Sequence, residues 1–213
     1  MRAAGGFRRL LIVIVASVLA TLALSAFANT AAIPVSRDFA GVDELQLNGG
    51  TLTLKSGPAN RLTADVPLTR WPLMMIRVTD GHFAELGGFD DADPRVLLAG
   101  LLPSDALPAA MSGVTWTLES DTLESVTVAG GTLVTDGYEA ERLVIYGIAG
   151  DARLEGLDLK LLAGNFQAGS TLTASGRVDV YSALETAGGV IDTSRLKIGN
   201  RDPGPITDIL EAQ

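Results

Sequence analysis

Residues 126–133 read Val-Thr-Val-Ala-Gly-Gly-Thr-Leu, and residues 45–52 read Leu-Gln-Leu-Asn-Gly-Gly-Thr-Leu. In both stretches an aliphatic residue alternates with a polar one, a glycine pair follows, and the alternation resumes. Period two sends one set of side chains inward and the other toward solvent, the pattern of a half-buried strand. Glycine accepts positive φ without steric cost, so the pair reads as a turn between two strands. The same alternation recurs at Val114-Thr-Trp-Thr-Leu118, Val178-Asp-Val180 and Leu196-Lys-Ile198.

Moving outward, the glycine turns keep time. Ala-Gly falls at 129–130, 149–150, 168–169 and 187–188, at intervals of 20, 19 and 19 residues. An apolar-x-apolar triplet follows each of the last three, at 159–161, 178–180 and 196–198, and another stands at 143–145. The two opening stretches lie 81 residues apart, about four such periods. Strands and glycine turns at a fixed pace predict an all-β chain folded as a parallel β-solenoid, or β-helix, with coils of about 20 residues. The rival is an antiparallel sandwich with evenly spaced hairpins. Arg153 at an apolar position and an out-of-phase Ala163-Gly164 mark the repeat as imperfect.

The repeat places the head domain at 39–199. Within it, 58–110 reads as irregular, strands interrupted by Pro-rich loops, because Pro58, Pro67, Pro72, Pro94, Pro103 and Pro108 are confined to edge strands, strand starts and bulges. A short helix is expected near 95–102. Residues 29–38 read as an N-terminal linker, and 200–213, with Pro203 and Pro205, as a C-terminal tail.

Residues 1–28 have the parts of an export signal: Arg2, Arg8 and Arg9, an apolar run from Leu10 to Leu24, and small residues at Ala26 and Ala28. Cleavage of this signal helix is expected after Ala28. The alternative is a retained anchor, since 10–28 approaches the roughly 20 residues a spanning helix needs. Either reading puts the domain outside the cytoplasm, in a periplasm or at or beyond the cell surface. The chain has no cysteine, which excludes disulfides, a thiolate zinc site and a cysteine nucleophile. Its formal charge is −9, and the leader contributes three of its cations, so phosphate backbones are repelled and nucleic acid is not an expected partner.

The chemistry-bearing residues are sparse. His82 is the single histidine, follows Asp80-Gly81, and reads as an exposed turn residue. No G-x-S-x-G elbow surrounds a serine. Asp90, Asp91 and Asp93 could give oxygen ligands to calcium, but they match no calcium-loop pattern and read as a solvated acidic loop. Asp151, Glu155 and Asp158 are the carboxylates that a glycan-cleaving enzyme could pair, though nothing in the spacing pairs them. Trp116 is in phase with Val114 and Leu118 and belongs to the core. Trp71, between Arg70 and Pro72, is the expected ligand contact. Thr-x-Thr at 51–53, 115–117 and 171–173 does not recur at each period and reads as strand threonine. No cofactor motif is present, and no cofactor is expected.

The opening Phe39-Ala-Gly-Val-Asp-Glu-Leu-Gln-Leu-Asn-Gly-Gly, its echo Leu123-Glu-Ser-Val-Thr-Val-Ala-Gly-Gly, and the glycine-paced units to Ile198 resemble the autotransporter-adhesin head domains named for a GIN tripeptide. The tripeptide itself does not occur in this sequence. The resemblance covers 39–199 and implies an exported bacterial β-solenoid without catalytic residues. The resulting expectation is a non-catalytic envelope or surface module that binds a glycan or an envelope protein and self-associates through its solenoid ends. A polysaccharide-active enzyme on the same scaffold and a membrane-tethered structural module are the alternatives.

Overall fold

Alternation in the sequence becomes alternation in burial. The strand at 51–55 buries Leu52 and Leu54 and turns Thr51, Thr53 and Lys55 outward; the strand at 115–119 buries Trp116 and Leu118 in the same way. A computed structural model of the protein describes residues 32–67, 76–87, 114–167, 169–185 and 188–201. Their elements are all strands: β1 (Ala32–Asp38), β2 (Glu44–Leu47), β3 (Thr51–Lys55), β4 (Arg61–Pro67), β5 (Ile76–Thr79), β6 (Phe83–Leu86), β7 (Thr115–Glu119), β8 (Ser125–Val128), β9 (Thr132–Asp136), β10 (Glu139–Gly147), β11 (Asp151–Phe166), β12 (Thr171–Glu185) and β13 (Val190–Arg201). The signal helix expected at 1–28 and the short helix expected near 95–102 lie outside the described residues. No helix among the described residues is long and apolar enough to cross a membrane. β1 falls within the stretch read as a linker.

The strands form one sheet in the order β1-β4-β7-β3-β9-β11-β10-β8-β2-β6-β5, with β12 on β11 and β13 on β12. This corrects the expected parallel solenoid: the sheet is mixed, and it curls into a half-barrel. Pairs β1–β4, β4–β7 and β5–β6 are antiparallel. Period two identifies a half-buried strand but says nothing about the direction of its neighbour. Chain reversals at 56–60 and 80–82, where Asn60 (φ 43°) and Asp80 (φ 55°) adopt left-handed backbone, introduce the antiparallel pairs. The glycine pace survives as register. Glu139 lies opposite Asp158, Asp151 opposite both Thr132 and Thr171, and Thr171 opposite Val190, all in parallel pairs. The 81-residue echo is a contact as well, with Leu45 beside Val126 and Leu52 beside Leu133.

The curl comes from the three long strands. The first third of β11 pairs with β9, while its remainder pairs with β10. β12 follows β11 along both parts. Two limbs therefore leave β11: β9-β3-β7-β4-β1 and β10-β8-β2-β6-β5. The bend sits at Gly156 (φ 66°) and Gly176 (φ 119°), where the β11–β12 register shifts between Leu154 and Leu157. A Cβ on Gly176 would stand 2.3 Å from the backbone N and O of Leu157, so only glycine permits this approach.

One core fills the space between the limbs. Leu45, Leu47, Val126, Val128 and Ile145 from one limb meet Leu52, Leu54, Trp116, Leu118 and Leu133 from the other, all at most 1% exposed. Full burial of such side chains stabilises by about 1.5–3 kcal/mol each before conformational entropy is set against it. Glycine turns stack above it: Thr132 N donates to Gly50 O (2.9 Å) and Asp151 N to Gly131 O (3.0 Å). Beside β4 and β7, the Ser120 hydroxyl donates to Asn60 Oδ1 (2.9 Å) and accepts from the amides of Thr122 and Leu123 (3.1 Å each). That knot joins the 56–60 turn to the loop after β7.

Candidate functional site

The register fixes which outward side chains stand side by side. On the limb from β11 to β5, Arg77, Glu85, Gln46, Thr127, Tyr146 and Asn165 occupy matched positions on six consecutive strands. They face away from the core, because their neighbours Ala84, Leu86, Leu45, Leu47, Val126, Val128, Ile145 and Phe166 are buried in it. Adjacent strands are about 4.8 Å apart, so the row runs roughly 24 Å. Just beyond the strand ends, Asn48 N donates to Leu86 O (2.9 Å), Ile148 N to Val128 O (3.0 Å) and Gln167 N to Gly147 O (2.8 Å). These bonds continue the ladder by one step and set Asn48, Ile148 and Gln167 along the row.

Composition singles this surface out. The chain has eight Asn and Gln residues, and four of them, Gln46, Asn48, Asn165 and Gln167, are here. Gln46 Nε2 donates to Asn48 Oδ1 (2.7 Å), and Asn48 Nδ2 donates to Glu85 Oε1 (2.7 Å), a relay that orients both amides. Tyr146 (39% exposed) and Ile148 (43%) are two of the large apolar side chains exposed among the described residues. Arg77 and Glu85, matched in register, balance each other's charge. Along the border of the row, Val144, Leu161 and Ala163 also face outward yet are buried, forming a small second apolar cluster with Val180.

Elsewhere on the outside the chemistry is ionic. Arg142 pairs with Glu124, Lys160 with Glu141, Arg177 with Asp179 (2.9 Å) and Arg195 with Glu155 (3.8 Å). The hydrogen bond and charge of Lys160 hold the Glu141 carboxyl below its ordinary range, and the Ser194 backbone N–H does the same for Asp192. Asp179 raises Arg177 first by its hydrogen bond and then by its charge, with Asp158 adding to the effect. Tyr138 is different: burial, helped by the nearby Asp121, pushes its phenol up to about 12.

The residues singled out in the sequence fare unevenly. Trp116 is fully buried, and its indole N–H donates to Gly49 O (3.4 Å). The His82 side chain is 72% exposed in the 80–82 turn, 3.6 Å from Asp43. Asp151 accepts from Thr171 (2.6 Å) and faces Arg153 (3.4 Å), Glu155 faces Arg195, and Asp158 neighbours Arg177, so each of the three meets a cation or hydroxyl. Trp71, Asp90, Asp91 and Asp93 lie outside the described residues. Among the described residues no group of His, Asp and Glu is arranged to hold a metal ion. The amide row itself escaped sequence reasoning. Its members are scattered from 46 to 167, and only the 81-residue echo, which aligns Gln46 with Thr127, hinted at it.

No family model and no curated protein matches the chain. Solved structures do. A "putative adhesin" from Bacteroides fragilis superposes with a TM-score of 0.63 at 13% identity, over 81% of this chain and 75% of that one. A "putative lipid binding protein" from Parabacteroides distasonis gives 0.51 at 12% identity, over 81% and 78%. A "putative adhesin" from the same species gives 0.51 at 10% identity, over 80% and 76%. The likeness establishes the fold. This chain thus has the architecture of proteins named as adhesins or lipid binders, and what it binds rests on its own surface.

Proposed function

We propose that the protein is a non-catalytic binding module of the bacterial cell envelope or surface, exported by residues 1–28 and working through the outer face of its sheet. The observation that carries this reading is the amide, hydroxyl and aromatic row across four strands, extended over two more by Glu85 and Arg77 and backed by a fully buried core. Such a row offers contact without chemistry: it holds no nucleophile beside a base, and its carboxylate is engaged by an amide. The names of the structural neighbours, adhesin and lipid-binding protein, support binding over turnover. A rigid sheet also suits contact at a surface, because little side-chain and backbone freedom is lost on binding.

The test uses the protein expressed with its full N-terminus and purified as the cell processes it. Co-sedimentation with isolated bacterial envelopes is measured together with the appearance of new polysaccharide chain ends. Binding without new ends is expected. New ends, or no binding to envelopes, would contradict the proposal. Mass spectrometry of the same sample should find Asn29 at the N-terminus; Met1 there would show a retained leader.

A further inference from the structure

We infer that the row from Gln46 to Asn165 is a docking strip for an uncharged glycan chain, with Tyr146 as its stacking platform. The inference rests on the binding-module reading above and gives it a ligand class. Four properties of the strip lead to it.

The first is charge. The described residues up to Gly150 carry twelve carboxylates against five Lys and Arg, so most of that surface repels anions. The strip is the exception: Gln46, Asn48, Thr127, Tyr146, Asn165 and Gln167 are neutral, and Arg77 offsets Glu85. A polyanion meets repulsion from the surroundings, and a polycation gains more on the acidic surface elsewhere. A neutral ligand loses nothing by lying here.

The second is hydrogen-bonding type. Amides and hydroxyls both donate and accept, as sugar hydroxyls do, so each can pair with either role of a sugar group. Half of the amides of the chain lie on this one surface, although strands disfavour Asn. The third is the aromatic. Tyr146 points outward from the sheet and is 39% exposed, offering an apolar ring beside polar neighbours. A sugar ring also has an apolar C–H face and polar edges, and the exposed Ile148 next to it widens the apolar contact.

The fourth is periodicity. Strand spacing repeats the polar positions about every 4.8 Å across the sheet. A linear polymer with a regular repeat can therefore touch several strands at once, and many weak contacts add to a useful avidity. The backing residues Leu45, Val126 and Ile145 are at most 1% exposed, so the platform is held in place before the ligand arrives.

The experiment is a retention assay of the processed full-length protein on immobilised neutral polysaccharides (a linear β-glucan, a mannan and a galactan) and on a sulfated polysaccharide. Wild type, Tyr146→Ala, Tyr146→Phe and Gln46→Ala are compared with Lys197→Ala, which lies off the strip. Thermal melts confirm that each variant is folded. The expected result is retention of wild type on at least one neutral polymer and not on the sulfated one, and an affinity about tenfold lower for Tyr146→Ala. Gln46→Ala should be weakened severalfold and Tyr146→Phe, which keeps the ring and loses the hydroxyl, only about twofold, while Lys197→Ala should match wild type. Retention only on the sulfated polymer, or equal binding by folded Tyr146→Ala, overturns the inference. If wild type binds envelopes but none of the neutral polymers, the glycan strip fails and the binding-module reading stands. If it binds neither, both fail.

Discussion

The two ends of the molecule solve the same problem with different strands. β11, β12 and β13 are 16, 15 and 12 residues long and lie parallel, each one turn of chain after the last. β2 to β9 are four to seven residues each and join two limbs that contain every antiparallel pair among the described residues. Charge differs too. The described residues from 151 onward hold six acids and six Lys or Arg, whereas those before are strongly acidic. A regular pace thus produces a tidy, self-neutralised stack, where ion pairs along and between strands are the outward chemistry. The limbs carry most of the fully buried large side chains, Phe166 on β11 aside, and the neutral strip starts on β11 and runs out along one of them. The surface suited to recognition lies where paired charges give way to neutral side chains on one limb.

Substitutions on the two sides put that contrast to the test. The largest effect is expected from Trp116→Ala, which empties the centre between the limbs and should cost about 3–5 kcal/mol by chemical denaturation. Leu196→Ala on β13, 7% exposed, should cost about 2 kcal/mol. Equal losses would deny that the limbs hold the stability. Next comes the bend. Gly176→Ala forces a Cβ against Leu157 backbone at φ 119° and should cost about 3 kcal/mol. Gly137→Ala, at φ 76° with nothing within 4 Å, should cost only about 1 kcal/mol.

A pH measurement separates burial from surface chemistry. The folded-state pKa of Tyr138 is raised to about 12, so the folded form keeps a proton that the unfolded chain releases near pH 10. Stability from this group is complete below pH 10 and is lost as pH rises toward 12, by roughly 2–3 kcal/mol. Tyr138→Phe should flatten that part of the stability profile, and an unchanged slope would contradict the buried phenol. The smallest effect is expected from Lys160→Ala. Its pair with Glu141 is exposed, and the thermal midpoint should stay within experimental error.

Much of this could be read from the sequence, and what could not has a physical reason. Alternation located the strands around Leu52, Trp116, Val126 and Leu196, and phase placed Trp116 in the core. The glycine pace and the 81-residue echo anticipated the parallel neighbours of β8 to β13. The solenoid did not hold, because period two is blind to strand direction and the turns at Asn60 and Asp80 reverse the chain. The strip was hidden for a related reason. Gln46, Thr127, Tyr146 and Asn165 share a row only through register, which no local pattern encodes. The sequence pointed instead to Trp71, between Arg70 and Pro72, which lies outside the described residues.

The claim that the outer face of the limb is where this protein meets its partner is tested most directly by oxidative footprinting. The processed protein is labelled free and bound to isolated envelopes, and modification is read residue by residue. The account predicts protection of Tyr146 and Ile148 on binding, with Val190 on β13, 60% exposed, unchanged. Binding that leaves Tyr146 as reactive as in the free protein would contradict it.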